Sequence, residues 1–290
     1  MAQQQQSLSD YAEYEHFVVT QGPAPFVAHV EINRPTKLNA FHEAMWHELR
    51  AVFGKLSTDP DVRAVVLSGA GDRAFTAGLD VTAASEGGVL ASADAQDLDP
   101  ARKATRLRRY IADFQECISA VEKCEKPVVC VMHGIAIGLA IDISCCADIR
   151  VCAKDTRFAV KEVDIGLAAD IGTLARLPKV VGSQSWVKDV CLTARDFGAH
   201  EALAVGFVSQ VHESKAAALA AAFKTAGLLA TKSPVAVQGT KELLNHSRDH
   251  TVEDNLRYTG VWNAAALQTK DVPAALLSGL QKKKPTFEKL

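Results

Sequence analysis

The sequence has no marked excess of charge of either sign, since 32 lysines and arginines face 34 aspartates and glutamates for a net charge of −2. It therefore gives no reason to expect nucleic acid or an anionic membrane as a partner. It also lacks an apolar run long enough to span a bilayer. The run at 135–147 is too short and is interrupted by Asp142.

The sequence has no CxxC pair, although it contains seven cysteines. Structural zinc sites commonly use such pairs, so no metal site is predicted. The cysteines are odd in number and most lie in hydrophobic segments. We interpret them as buried, reduced thiols of an intracellular protein.

The two ends of the chain carry weak targeting information. The first fifteen residues contain no basic side chain and no apolar core, which predicts neither a secretory signal nor an Arg-rich transit peptide. The last three residues, Glu288-Lys289-Leu290, share Lys-Leu with the peroxisomal Ser-Lys-Leu signal, but Glu288 replaces the small residue. We expect a peroxisomal location, with the mitochondrion as the alternative; a solvated charged tail explains the tripeptide equally well.

Hydrophobic patterning predicts one α/β domain with short buried strands. A hairpin is predicted from 17–20 and 27–32 around Gly22-Pro23, followed by a helix over 42–56. Further strands are predicted at 64–68, 127–132, 149–152 and 158–160, and further helices at 102–122 and up to 147. The small, polar stretch 83–100 is predicted to be a mobile surface loop.

From about residue 213 the composition changes to alanine, leucine and lysine with helical periodicity. We predict successive helices at 215–231, 234–245, 251–267 and 272–279, with no strands between them. The chain therefore divides into a core at 1–212 and a helical segment at 213–290. Such a segment is expected to pack on the core, on a neighbouring subunit, or on both.

Three acids lie in mostly apolar sequence: Asp142, Glu162 and Asp170. A carboxylate in a dry environment is normally paired, hydrogen-bonded or neutralised by a raised pKa. Three of them suggest acid/base chemistry on a substrate with protons to remove and replace. The alternatives are structural: backbone amides can satisfy a buried aspartate, and Asp170 could cap the helix that follows it.

Two glycine turns accompany these acids. Gly78 precedes Leu79 in AFTAGLD, and Gly138 lies just ahead of the helix that carries Asp142. Two backbone N–H groups, one at a strand-end turn and one at a helix N-terminus, can together hold a negatively charged oxygen. Either glycine alone is more often a tight turn or a close-packing position.

The stretches INRPTKLNAF, AFTAGLD, HGIAIGLAIDISCCADIR and FAVKEVDIGLAADIGTLARLPKVVG, in this order, resemble the crotonase (enoyl-CoA hydratase/isomerase) superfamily over about residues 15–275. Hydratases of that superfamily typically use two glutamates twenty positions apart. Asp142 and Glu162 keep this separation, but the first is an aspartate, and Asp170 follows eight residues later. Because of this third acid, the segment is most similar to the dienoyl-CoA isomerases.

The resemblance implies a role for each residue of the predicted site. The oxyanion and substrate-binding residues would be Ala77, Gly78, Leu79, Asp80, Val81 and Leu139, with the backbone N–H groups of Leu79 and Leu139 holding the thioester oxygen. Glu162 would act at C2 of the substrate and Asp170 at C6, or in the reverse order, and Asp142 would tune its neighbours. Leu139 departs from the usual glycine and is expected to reshape the acyl pocket.

Other polar residues receive lesser predictions. His133 is interpreted as structural, and Arg34 as either a contact for the CoA phosphates or a solvated side chain. Glu122 and Lys126 are placed at a solvated helix end. Asp164 would face the same side as the glutamate two positions before it if the segment is extended, as a fourth acid or as the partner of a cation.

The resemblance as a whole implies an α/β fold with a ββα spiral core and a C-terminal helical segment that mediates oligomerisation, as a homotrimer or homohexamer. It implies isomerisation of 3,5-dienoyl-CoA to 2,4-dienoyl-CoA in unsaturated fatty-acid β-oxidation. The partner is the acyl-CoA thioester itself, without metal or other cofactor. The alternatives are a 2-enoyl-CoA hydratase and a non-catalytic protein of the same fold that binds acyl-CoA or RNA.

Overall fold

The first two strands form the predicted β-hairpin. A computed structural model describes residues 11–82 and 98–290. Strands β1 (Phe17–Gln21) and β2 (Val27–Ile32) pair antiparallel, with Phe17 opposite Ile32. The turn closes where the Gly22 N–H donates to the carbonyl of Val27 at 2.8 Å. Inward residues of both strands are buried, so the hairpin forms one edge of the core.

Each later turn of the chain adds one strand to each of two sheets. The six-stranded sheet has the order β1-β2-β3-β5-β7-β10 and is parallel beyond the hairpin. The four-stranded sheet has the order β4-β6-β8-β9, with only its last pair antiparallel. The remaining strands are β3 (Ala64–Gly69), β4 (Ala74–Thr76), β5 (Val128–Met132), β6 (Ile135–Ile137), β7 (Ile149–Ala153), β8 (Arg157–Ala159), β9 (Phe197–Gly198) and β10 (Gln210–His212).

Helices follow the strand pairs and cover the sheets, which makes the repeat a ββα spiral. Those of the first 212 residues are α1 (Glu43–Thr58), α2 (Pro100–Lys123), α3 (Leu139–Cys146), α4 (Thr173–Val180), α5 (Gln184–Thr193) and α6 (Ala199–Ala204). Those that follow are α7 (Lys215–Ala230), α8 (Pro234–Ser247), α9 (Val252–Ala266) and α10 (Asp271–Leu280). A short 3-10 helix, Glu162–Ile165, precedes α4.

The core has two parts, one on each face of the six-stranded sheet. The larger part packs one face of the sheet against α1, α2 and α3, with large side chains such as Phe41 and Phe53 fully buried. The smaller part packs the opposite face against α7. This helix buries alanines four positions apart, Ala218, Ala222 and Ala226, so that its backbone lies close to the strands.

The hairpin, α1, the strands of the six-stranded sheet as far as β7, and the four C-terminal helices lie where the sequence predicts them, within a few residues. Helices α5 and α6 and strands β6, β9 and β10 are not predicted by the sequence pattern, whereas α4 is the helix expected to follow Asp170. The segment of Glu162 and Asp164 is a 3-10 helix rather than extended chain. Most of the predicted loop at 83–100 lies outside the described residues, and Pro100 already belongs to α2.

All seven cysteines are buried and free. Burial raises the pKa of the thiols of Cys130, Cys145 and Cys152 to about 12. None of the helices in the described ranges is both long and apolar enough to cross a bilayer.

Candidate active site

The two glycine turns come together at the ends of β4 and β6, which are neighbouring parallel strands of the four-stranded sheet. Gly78, just after β4, has φ +88°, a conformation that side chains with a Cβ rarely adopt. A Cβ on Gly78 would lie 2.9 Å from the carbonyl oxygen of Ile137 and 3.5 Å from the amide nitrogen of Leu139. Gly78 is therefore needed both for its backbone angle and for the close approach of the two turns.

This arrangement leaves two amide groups without an acceptor among the residues that the structure describes. The Phe41 N–H donates to the carbonyl of Gly78, and the Asp80 N–H donates to the carbonyl of Phe41, both at 2.8 Å. These bonds bracket Leu79 without using its own N–H. Leu139 is the first residue of α3, so its N–H has no acceptor within the helix. Among the described residues neither amide donates a hydrogen bond to the protein, and together they suit an oxyanion.

The neighbours of these two residues have different environments. The Ala77 N–H donates to the carbonyl of Leu38 at 2.9 Å and so ties the turn to the preceding loop. The Asp80 carboxylate pairs with Arg34 at 2.7 Å, so these two side chains hold the turn in place together. Val81 is exposed, and the side chain of Leu139 is buried in the larger core.

Asp142 lies on the first turn of α3 and is 2% exposed. Its Oδ1 accepts a hydrogen bond from the N–H of Thr173, the first residue of α4, at 2.6 Å. Burial raises the pKa of Asp142 to about 6, although the bonds from Thr173 oppose the rise. A backbone amide thus does satisfy this acid, and Asp142 in turn anchors the N-terminus of α4.

Glu162 begins the 3-10 helix and faces the oxyanion turns. Its Oε1 lies 3.6 Å from the position that a Cβ on Gly138 would occupy. Its Oε2 is buried and has no hydrogen-bond partner among the described residues. Burial, and next the charge of Asp142, raise the pKa of Glu162 to about 7. A carboxylate with this pKa and an unpartnered oxygen can exchange a proton near neutral pH.

Asp170 completes the set of three acids. It is half-buried, and burial raises its pKa. The helix that follows has Gly172 as its N-cap and no side-chain cap bond, so Asp170 does not cap it. Asp170 lines a cavity of about 400 Å³ between α2 and α4, but Glu162 and Asp142 do not. The cavity therefore opens beside the three acids, on the side of Asp170.

The structure corrects the interpretation of two further charged residues and decides between the two alternatives for a third. Glu122 is mostly buried, between the guanidinium groups of Arg176 and Arg248, rather than at a solvated helix end. Lys126 is also buried, with 3% exposure. Asp164 points to solvent and pairs with Lys161 at 3.2 Å, so it is a partner of a cation and not a fourth acid. The sequence predicts a solvated helix end at Glu122 because it does not reveal which other parts of the chain pack on the end of α2.

Two groups of described residues bring metal-ligand atoms close together: His47 with Asp113 and Cys117, and Glu15 with His16 and Glu48. Neither group includes Asp142, Glu162 or Asp170.

Among the described residues, a spiral of ββα turns brings two unbonded amides close to three acids. This is the crotonase class of fold. Residues 24–289 match the enoyl-CoA hydratase/isomerase family. The chain belongs to this family. It is 45% identical over 288 residues to the mitochondrial Delta(3,5)-Delta(2,4)-dienoyl-CoA isomerase of Mus musculus, which covers 98% of this chain and 86% of the mouse protein.

A second relative and a solved structure extend this result. The chain is 39% identical to the peroxisomal Delta(3,5)-Delta(2,4)-dienoyl-CoA isomerase of Arabidopsis thaliana, over 91% of this chain and 93% of that protein. It shares its fold with the crystal structure of an enoyl-CoA hydratase from Bacillus anthracis, with a TM-score of 0.83 and 23% identity over 94% of this chain and 99% of the other. The expected crotonase fold is confirmed.

Proposed function

We propose that this protein isomerises 3,5-dienoyl-CoA to 2,4-dienoyl-CoA by moving a proton from C2 to C6. The observation that carries the proposal is the third acid, Asp170, beside Asp142 and Glu162. The names of the mouse and Arabidopsis relatives support the same activity. The substrate supplies its own CoA, so the residues need no additional cofactor.

The proton transfer can be written with the residues of the site. The Glu162 carboxylate removes a proton from C2, and the developing thioester enolate is held by the N–H groups of Leu79 and Leu139. Protonated Asp170 then gives its proton to C6. The double bonds at C3 and C5 become double bonds at C2 and C4, with no change in composition. Glu162 ends protonated and Asp170 ionised, and proton exchange with solvent restores the starting state.

The raised pKa values of both transferring acids suit this cycle. A higher pKa makes the Glu162 carboxylate a stronger base at neutral pH, while burial helps Asp170 to keep its proton. Asp142 contributes charge beside Glu162 and holds the start of α4. The reverse assignment, with Asp170 at C2 and Glu162 at C6, predicts the opposite pH dependence, because Glu162 would then have to be protonated.

The experiment that tests the proposal uses two substrates. Incubation with a 3,5-dienoyl-CoA should produce the ultraviolet absorbance of the conjugated 2,4-dienoyl-CoA. Incubation with a 2-enoyl-CoA should leave the absorbance of its double bond unchanged. Loss of absorbance with the second substrate only would show a hydratase, which the spacing of Asp142 and Glu162 also permits. Tight binding of both thioesters without turnover would instead indicate a non-catalytic acyl-CoA-binding protein.

We also propose that the protein assembles as a homotrimer or homohexamer through its C-terminal helices. Helices α9 and α10 leave large apolar side chains exposed, among them Leu256, Val261, Leu276 and Leu280. Exposed apolar side chains concentrated on two successive helices are expected to be covered in an obligate assembly. Light scattering coupled to size-exclusion chromatography gives the number of subunits directly, and a monomer would contradict the proposal.

For location, we propose the peroxisome, because the chain ends in Lys289-Leu290 and the Arabidopsis relative is peroxisomal. The mouse relative is mitochondrial, which makes that organelle the alternative. A fluorescent protein fused in front of residues 281–290 tests the tail alone. Punctate signal that coincides with Ser-Lys-Leu cargo would support the proposal. Diffuse signal in the same cells would show that the tail is not a targeting signal.

A further inference from the structure

Glu122, on the last turn of α2, is held between two arginines from different parts of the chain. Its Oε2 accepts hydrogen bonds from Nε and Nη2 of Arg176 at 3.1 and 2.8 Å. Its Oε1 accepts a bond from Nη2 of Arg248, which caps the end of α8 in the C-terminal helical segment. Nη2 of Arg176 also donates to the hydroxyl of Ser119 at 2.9 Å. These bonds fix the plane of the Arg176 guanidinium and its direction.

The third nitrogen of that guanidinium and the Asp142 carboxylate both lie near Gly172. A Cβ on Gly172 would lie 2.5 Å from Nη1 of Arg176 and 3.7 Å from Oδ1 of Asp142. The glycine therefore leaves room for the guanidinium close to the carboxylate. Gly172 is also the N-cap of α4, whose first N–H, that of Thr173, donates to the same Oδ1.

Arg176 brings one positive charge to the titratable groups around Asp142, whereas the three nearby thiols are uncharged at neutral pH because burial raises their pKa. The charged and titratable side chains that act on it or feel its charge are Glu162 from the 3-10 helix, Arg176 from α4, Cys191 from α5, and Cys145 and Cys146 from its own helix. Arg176 provides the positive charge in this set. In a buried site an opposite charge within a few ångströms strongly favours the ionised form of a carboxyl group.

We propose that Arg176 is a positioning residue of the active site: held by Glu122, which Arg248 holds in turn, it keeps the Asp142 carboxylate ionised and directed at the N-terminus of α4. The series Arg248, Glu122, Arg176, Asp142 alternates in sign from the C-terminal helices to the three acids. Correct docking of α8 on the core thereby helps to set the charge of the active site. The role in turnover depends on the proposed isomerase function, but the effect on ionisation does not.

The test is a carbon-13 NMR titration of the carboxyl groups in the full-length protein, with the Asp142 signal assigned from Asp142→Asn. Asp142 and Glu162 interact, so the measured quantity is the first proton loss of the pair. We expect Arg176→Gln to move this proton loss to higher pH by about one pH unit, since a nearby cation is removed. Arg248→Gln should move it in the same direction by less. Arg176→Lys, which keeps the positive charge, should bring the pH of this proton loss most of the way back to its wild-type value.

Arg257→Gln is the matched control, because Arg257 is an exposed arginine on α9 that pairs only with Glu253 among the described residues. It should leave the titration unchanged. An unchanged titration in a folded Arg176→Gln protein would overturn the proposal, even if turnover fell. If that variant does not fold, an unchanged titration in Arg248→Gln would overturn it instead. Wild-type turnover of 3,5-dienoyl-CoA is measured in parallel, so that failure of the isomerase function is detected separately.

Discussion

The burial of Glu162 predicts that this residue destabilises the protein at the pH where it works. Its pKa rises from the ordinary 4.5 to about 7, mainly because the carboxylate loses its contact with water. At about 1.4 kcal/mol per pH unit, this rise corresponds to a penalty of about 3 kcal/mol for the ionised form in the folded protein. Below pH 4.5 the group is protonated in both states and there is no penalty. The folded state loses this stability as the pH rises from 4.5 through about 7.

Glu162→Gln removes the charge and keeps the size of the side chain. The amide has its own cost of burial, but that cost does not depend on pH. We therefore expect the free energy of unfolding of the variant, relative to wild type, to increase by about 3 kcal/mol between pH 4.5 and pH 8. Turnover of 3,5-dienoyl-CoA should fall by about 10²- to 10⁴-fold, the usual contribution of a general base.

The assay is chemical denaturation followed by circular dichroism at several pH values and one protein concentration. Glu253→Gln makes the same substitution on an exposed side chain and should show almost no pH-dependent difference from wild type. Parallel loss of stability in wild type and Glu162→Gln from pH 5 to 8 would refute the reasoning, because the Glu162 carboxylate would then be as well solvated in the folded as in the unfolded protein.

Three further substitutions test other parts of the site. Asp170→Asn should lower turnover by about 10²- to 10⁴-fold, with little change in the dissociation constant of a non-reactive acyl-CoA measured by calorimetry. Asp142→Asn should cost less activity, and the rising limb of the pH–rate profile should move to lower pH, because the neighbouring negative charge that raises the pKa of Glu162 is gone. If it proves the most damaging change and hydration of a 2-enoyl-CoA dominates, the hydratase alternative is favoured. Gly78→Ala should lower the turnover number by about 10²- to 10³-fold through a displaced oxyanion donor, whereas Gly54→Ala, where a Cβ meets nothing within 4 Å, should not.

Sequence patterning predicts the parts of this fold in which one face of an element is apolar. The helix α1 buries Met45, Leu49 and Phe53 at helical spacing, and the strands β3 and β5 are buried throughout. The helical spacing of apolar residues in α1 and the continuous apolar runs in β3 and β5 can be read from the sequence because burial requires apolar side chains at those positions. Elements of two or three residues, such as β6 and β9, are too short to show any period, and they are defined only by their partners across the sheet.

The three acids can be found from sequence because charges in apolar stretches are rare. What sequence cannot supply is the relation between elements. The bond from Thr173 to Asp142 spans 31 positions, and the pair of Arg248 with Glu122 spans 126. The same limit explains why Glu122 was placed in solvent. Its environment depends on how α4 and α8 dock, and no local pattern records that docking.

The reactivity of the buried cysteines can be used to measure local opening of the protein. The seven thiols are distributed over α2, β5, α3, β7 and α5 and over the residue that ends α2, so they sample the middle turns of the spiral, between residues 117 and 191. A thiol that is buried and has a high pKa reacts slowly with alkylating reagents until the surrounding structure opens. Timed alkylation followed by mass spectrometry would therefore rank these turns of the spiral by how often each one opens, without any label being added to the chain.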